Sequence, residues 1–194
     1  MPSIVLNGVE VINENGGAVT LGVPGTIIQT KQTLYRTTVS FNHNSGNYTE
    51  ISGFNVTTNA LMDNVQFYIS YDVSAGVSTA NDHALSTSVF KDSDSAPLGG
   101  FTNSTQPAGQ KPSHGHSPGY INNSTTNQYR MFLMRGSLLY TSTLNKNASI
   151  TFKIKVFQHD TGSESAYVNM MASEVNDVWT PRSVSQLTVQ QISV

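Results

Sequence analysis

The chain has no cysteine, which excludes disulfides, thiolate zinc sites and cysteine nucleophiles together. Charge is scarce as well. Only 11% of the 194 residues are Asp, Glu, Lys or Arg, against about a quarter in an average soluble domain. The ten basic residues are spread from Lys31 to Arg182 and the net charge is -2. No basic stripe is available to neutralise a phosphate backbone, so nucleic acid is not an expected partner. Apolar residues make up 37% and never run unbroken for the roughly 18 positions a spanning helix needs. A soluble protein without membrane insertion is expected. The opening MPSIVLNGVEVINENGG has neither a basic start nor a long apolar stretch with a small-residue cleavage site. Synthesis in a cytoplasm without a secretory signal is the expectation.

The stretches of Ala, Glu, Lys and Leu that would clothe long helices are also few, which argues against a bundle or coiled coil. In their place are Ser, Thr, Asn and Gly, with β-branched and aromatic residues in short alternating runs. VQFYISYDVSAG sets Val65, Phe67, Ile69, Tyr71 and Val73 on one side and Gln66, Tyr68, Ser70 and Asp72 on the other. ASITFKIKVFQHD does the same through Ile150, Phe152, Ile154 and Val156, with Thr151, Lys153, Lys155 and Phe157 opposite. TIIQTKQTLYRTTVSF reads as one long strand, and QYRMFLMRGSLLYTS as a buried strand and a turn. YTEISGFNVTT is a strand in which Ser52-Gly53 marks a bulge or bend. With ALSTSVFKD, AYVNMMASE and RSVSQLTVQQISV the total is about eight to nine strands. An all-β chain of short strands must manage its edges by closing or stacking. The fold expected is a single jelly-roll-like β-sandwich over residues 26–194, preceded by an N-terminal arm at 1–25. Residues 92–119 hold four of the seven prolines and read as a long loop.

Four phrases carry a resemblance: PGTIIQTKQTLYRT at 24–37, YTEISGFNVTT at 48–58, VQFYISYDVS at 65–74 and PRSVSQLTVQQI at 181–192. Together they resemble virion structural proteins and fibre-type modules of tailed bacteriophages, especially those of marine and cyanobacterial hosts. The resemblance covers most of residues 24–193. It implies a non-enzymatic virion component with a β-sandwich body that assembles as a homotrimer. Head decoration, capsid fibre and tail or neck fibre are all open under it. Its partners would be its own copies and other virion proteins of the capsid, neck or tail, and its location the virion, after synthesis in the host cytoplasm. The N-terminal segment would attach the body to the particle, with Ile4, Leu6, Val9 and Val11 as the apolar anchors. The long Pro/Gly/His loop at 92–119 departs from the pattern.

Low charge points to an oligomer on its own account, because a large apolar strand face can be hidden against sister subunits. Among chemistry-bearing motifs, His114-Gly115-His116 is the one metal-like signal. Alternate residues of an extended chain project to the same side, so three copies about a three-fold axis would offer six imidazoles to a transition metal, as thin phage fibres of this type do. A solvated loop is the weightier alternative, since Pro112 and Pro118 flank the pair and no cofactor is otherwise implied. Asp92-Ser93-Asp94-Ser95 lacks the glycine and distal glutamate of a calcium loop and reads as a polar turn. No G-x-S-x-G phrase occurs, and Asp82-His83 and His159-Asp160 point to opposite faces of a strand, so no catalytic residue is assigned. Tyr120, Tyr129 and Trp179 stand near loops and could contact a glycan or protein partner. A host-receptor or glycan-binding module is therefore the alternative function.

Overall fold

The structure is a computed structural model; it describes residues 3–6, 9–15, 18–21, 24–42, 48–77, 83–98, 117–121, 131–158, 165–170 and 183–194. The first three strands, β1 (Ser3–Leu6), β2 (Val9–Asn15) and β3 (Ala18–Leu21), pair antiparallel as a three-stranded sheet of their own. The body consists of β4 (Ile27–Tyr35), β5 (Val39–Asn42), β6 (Thr49–Asn59), β7 (Gln66–Val77), β8 (His83–Lys91), β9 (Ser117–Ile121), β10 (Phe132–Thr141), β11 (Ser149–Gln158), β12 (Ser165–Val168) and β13 (Ser185–Ile192). One sheet runs β4-β13-β7-β10, and the other β6-β11-β8-β9, every pair antiparallel. With one exception, β8 to β9, each step along these eight strands crosses from one sheet to the other. That order defines a two-sheet jelly roll, as the sequence led us to expect.

The long strand expected over residues 26–41 is two strands. β4 pairs with β13, whereas β5 pairs with β12, and β13 and β12 lie end to end along the same edge of β7. A buried asparagine closes the seam between them. Asn169 adopts a left-handed backbone, φ 61°, which Asn tolerates better than other side chains. Its Nδ2 donates to the carbonyls of Tyr35 (2.7 Å) and Thr37 (3.2 Å), and its Oδ1 accepts from Ser185 Oγ at 2.6 Å. The Asn169 amide donates to Ser74 O at 2.9 Å, while the Ser74 amide donates to Ser185 Oγ at 3.1 Å. One side chain thus ties four strand ends together.

Residues of period two fill the core. Val65, Phe67, Ile69, Tyr71 and Val73 are all within 2% of full burial, as are Ile150, Phe152, Ile154 and Val156 from the facing sheet. Phe67 and Phe152 meet across the sandwich with ring centroids 5.1 Å apart, a separation at which aromatic pairs attract beyond their area. Each such side chain contributes about 1.5–3 kcal/mol through burial. The bulge expected at Ser52-Gly53 is present: Gly53 has φ 80°, and the β6–β11 register slips between Lys153 and Lys155. The outward face of β11 is less open than its alternation suggests. Phe157 is 6% exposed and Phe90 of β8 is fully buried, both packed against Tyr48 at 5.2 and 4.8 Å, with Lys155 Nζ 4.2 Å above the Phe90 ring.

Tyr71 links the sheets by a polar contact. Its hydroxyl donates to Thr87 O (2.9 Å) and accepts from Thr87 Oγ1 (3.1 Å). Burial pushes the phenol up to about 12, against the lowering effect of the Thr87 bond and with a small raising contribution from Tyr48. An unfolded tyrosine ionises near 10, so the folded state holds its proton longer than the unfolded one. Stability from this group is complete below pH 10 and is lost as pH climbs toward 12, a decline of roughly 2–3 kcal/mol. Urea midpoints measured from pH 8 to 12 should fall within that window, and Tyr71→Phe should flatten the part of the decline that Tyr71 causes.

Candidate functional site

Chain direction gives the two ends of the sandwich different characters. At one end, called the base, β4 begins and β13 ends, and the β6–β7 and β10–β11 connections are short. These two turns bind each other: Asn64 N donates to Leu144 O (2.9 Å), Asn147 N to Ala60 O (2.7 Å) and Lys146 N to Asp63 Oδ1 (2.6 Å). Asn64 and Asn147 supply the left-handed positions, φ 54° and 69°. Gln191 fills the gap above them at 1% exposure. Its Nε2 donates to Gln29 Oε1, Thr58 Oγ1 and Asn59 O at 2.8–2.9 Å, and its Oε1 accepts from Leu61 N at 3.0 Å.

At the other end are the strand ends that open into the β4–β6, β7–β8, β9–β10 and β11–β13 connections, the first and last of which include β5 and β12, paired within the β7 sheet. Sites are built most readily on loops held by a rigid scaffold. Tyr120 lies in β9, in register with Ala84 of β8, and its side chain is outside the described residues. Tyr129 and Trp179 are outside them too, in the β9–β10 and β12–β13 connections. The described strand ends that flank these two connections are Ile121 of β9, Phe132 of β10, Val168 of β12 and Ser185 of β13.

His114 and His116 also lie outside the described residues, immediately before β9. Ile4 and Leu6 fall in β1, and Val9 and Val11 in β2, with Ile4 opposite Ile12 and Leu6 opposite Val9; their side chains are outside the description. Asp92 and Asp94 form a polar turn after β8. Asp92 Oδ1 accepts from Thr151 N at 2.9 Å, and Asp94 pairs with Lys91 at 3.5 Å. Among the described residues no group of three or more His, Cys, Asp or Glu is arranged to hold a metal ion.

Sequence reasoning assigned no role to the outer face of the β4-β13-β7-β10 sheet. Register sets its side chains in rows across the strands. Arg135, Asp72, Gln186 and Leu34 form one row, Ser137, Ser70, Thr188 and Gln32 the next, and Leu139, Tyr68, Gln190 and Thr30 the third. Arg135 Nε meets Asp72 Oδ1 at 2.8 Å. Gln32 Nε2 donates to Thr188 Oγ1 at 3.1 Å. The small Ser70 and Ser137 leave an open depression of about 460 Å³ beside the Arg135–Asp72 pair and Gln186. Alternation in the sequence puts Arg135 and Ser137 on one face of β10, yet only the β10–β7 register brings them beside Asp72 and Ser70.

No protein-family model matches the chain, and no curated protein matches it. Solved structures that it resembles include the infectious bursal disease virus VP2 subviral particle, at 14% identity and a TM-score of 0.38. Others are particles derived from the same virus with T=1 symmetry, at 12% and 0.38, and its Gx strain, at 12% and 0.36. Each match covers 100% of this chain and 41–43% of the other, so the chain spans about two fifths of the length of the structures it resembles. The jelly-roll order stands on the strand pairing above, independently of these likenesses.

Proposed function

We propose that the chain is a non-enzymatic structural component of a virus particle, a jelly-roll module that assembles as a homotrimer and attaches through its N-terminal arm. The observation that carries this reading is the separate β1-β2-β3 sheet, which precedes a complete eight-stranded sandwich and takes no part in either of its sheets. An appendage with its own strand pairing, joined to the body at the base, suits attachment to a larger assembly. The phrases shared with tailed-phage virion proteins support the same reading and favour a head-decoration or fibre-type component, with other virion proteins as partners. Three arms on one trimer would multiply weak contacts into firm attachment.

Deleting residues 2–22 tests the proposal. The truncated chain should remain a folded trimer by circular dichroism and light scattering, and should be missing from particles purified from cells that supply it. Incorporation of the truncated chain at the full-length level would refute the arm. Light scattering of the full chain, with metal analysis on the same sample, tests the trimer and the His114/His116 pair together. A trimer with one transition-metal ion per three chains supports an axial site, and a monomer refutes the assembly.

The second reading, a host-receptor or glycan-binding module, rests on Tyr120, Tyr129 and Trp179 as contacts, read from the sequence as aromatics beside loops. Replacing Trp179 with Ala should then abolish any glycan-array signal that arises there.

A further inference from the structure

We infer that the depression on the outer face of the β4-β13-β7-β10 sheet is a binding site for an acidic saccharide, with Arg135 receiving the sugar carboxylate and Ser70, Ser137 and Gln186 its hydroxyls. The inference rests on described residues of the sandwich and is independent of the particle reading. It also rests on residues other than Tyr120, Tyr129 and Trp179.

Three observations converge on it. The first is charge. Arg135 and Asp72 are the only ionised side chains among the described outward residues of β4, β7, β10 and β13, on a face otherwise made of Ser, Thr, Gln and a few apolar groups. Their side chains are 71% and 29% exposed, and an ion pair so exposed is worth about 0–1 kcal/mol to folding. Stability gives little reason for it, whereas geometry gives one. Asp72 holds the guanidinium through Nε at 2.8 Å, which orients the planar fork while the side chain stays open to solvent. An oriented guanidinium favours bidentate pairing with a carboxylate.

Shape is the second observation. Ser137, Ser70 and Thr188 form a low row between two rows of longer side chains, giving a trough across neighbouring strands about 4.8 Å apart. Each of these hydroxyls can both donate and accept, as can the Gln186 amide. That is the complement of a polyhydroxylated ring, whose hydroxyls also do both.

The third observation is the next row, where Tyr68 is 38% exposed and Leu139 57%. Both lie one side-chain repeat from Ser70 and Ser137 on the same face. An aromatic ring with an apolar neighbour beside hydroxyl and amide groups is the mixed surface that sugar rings need, since they present C–H groups on their faces and hydroxyls on their edges.

The test is titration of the full chain with tetragalacturonate and, in parallel, with uncharged maltotetraose, followed by isothermal calorimetry in 0.15 M salt. Tetragalacturonate should bind at least tenfold tighter than maltotetraose. Arg135→Gln should weaken it at least tenfold with the melting temperature unchanged, as should Ser137→Leu, which fills the trough without touching a charge. Lys146→Gln, an equal loss of charge at the base, should leave binding as it was. The proposal is overturned by no binding of either probe, by equal binding of both, or by binding that survives Arg135→Gln and Ser137→Leu.

Discussion

Replacing Asn169 with Asp should destabilise the protein by about 3–4 kcal/mol at neutral pH, although the two side chains have the same shape. The change removes both hydrogens that Nδ2 gives to the carbonyls of Tyr35 and Thr37 and sets a carboxylate oxygen against them. Each buried polar group left unsatisfied costs about 1–3 kcal/mol, and more where a charge is involved. Asp tolerates a left-handed backbone about as well as Asn, so the loss isolates hydrogen bonding from backbone strain. A buried carboxyl facing two carbonyls binds its proton more tightly than in the unfolded chain. The variant should therefore regain stability as pH falls through its folded pKa. Asn169→Ala should lose a comparable amount without that recovery, because a methyl group at φ 61° is strained at every pH. Urea denaturation of the three proteins at pH 7 and pH 4.5 reads both effects. Equal stability of Asn169→Asp and the parent at pH 7 would show that the seam does not need its amide.

Gly136→Ala should cost about 2–4 kcal/mol, a large loss for one methyl group at the edge of a sheet. Gly136 stands directly opposite Tyr71, and a Cβ there would come within 2.5–2.6 Å of the ring's outer carbons and hydroxyl. The ring cannot swing aside cheaply, since it is 2% exposed and its hydroxyl is committed to Thr87 on the facing sheet. Overpacking of this kind costs about 1–3 kcal/mol, and displacing the hydroxyl adds about 1 kcal/mol for the lost hydrogen bond. The mechanism predicts non-additivity. In a double-mutant cycle, Gly136→Ala should be nearly neutral in a Tyr71→Ala background, with a coupling of about 2 kcal/mol or more. Independent, additive losses would mean that the glycine serves the strand's backbone and not the tyrosine.

Much of the fold could be read from local pattern. Strict alternation in 65–73 and 150–156 names core residues without reference to any partner, because one face of a strand either meets the other sheet or does not. The Ser52-Gly53 bulge was legible for a similar reason: glycine inside an otherwise good strand needs a conformational cause. The split of β4 from β5 was not legible, since TLYRTTVSF carries no Gly or Pro to punctuate it. The break is set by Asn169, more than 130 residues away. β10 reads as a buried strand from its run of apolar residues, yet Leu133 and Leu139 are 51% and 57% exposed, since they share the outer face of the sheet with Arg135 and Ser137. The candidate site was hidden for a further reason. Arg135 and Asp72 are unremarkable separately, and register, which turns and distant contacts fix, is what joins them.

At the base, the Gly25 amide donates to Ser193 O at 2.8 Å and the Ser193 amide to Thr26 O at 2.9 Å. The residues where the body begins and where β13 runs out are thus direct neighbours. For protein engineering this makes the two ends unequal as display positions. A peptide appended after Val194 starts beside the first residues of the body, whereas one joined to the ends of β7 and β8 starts from the opposite ends of the strands. The same adjacency makes a circular permutant practical. A short linker from Val194 to Gly25, with new termini opened between β7 and β8, would keep every strand pair of the sandwich while moving its point of tethering from one pole of the molecule to the other.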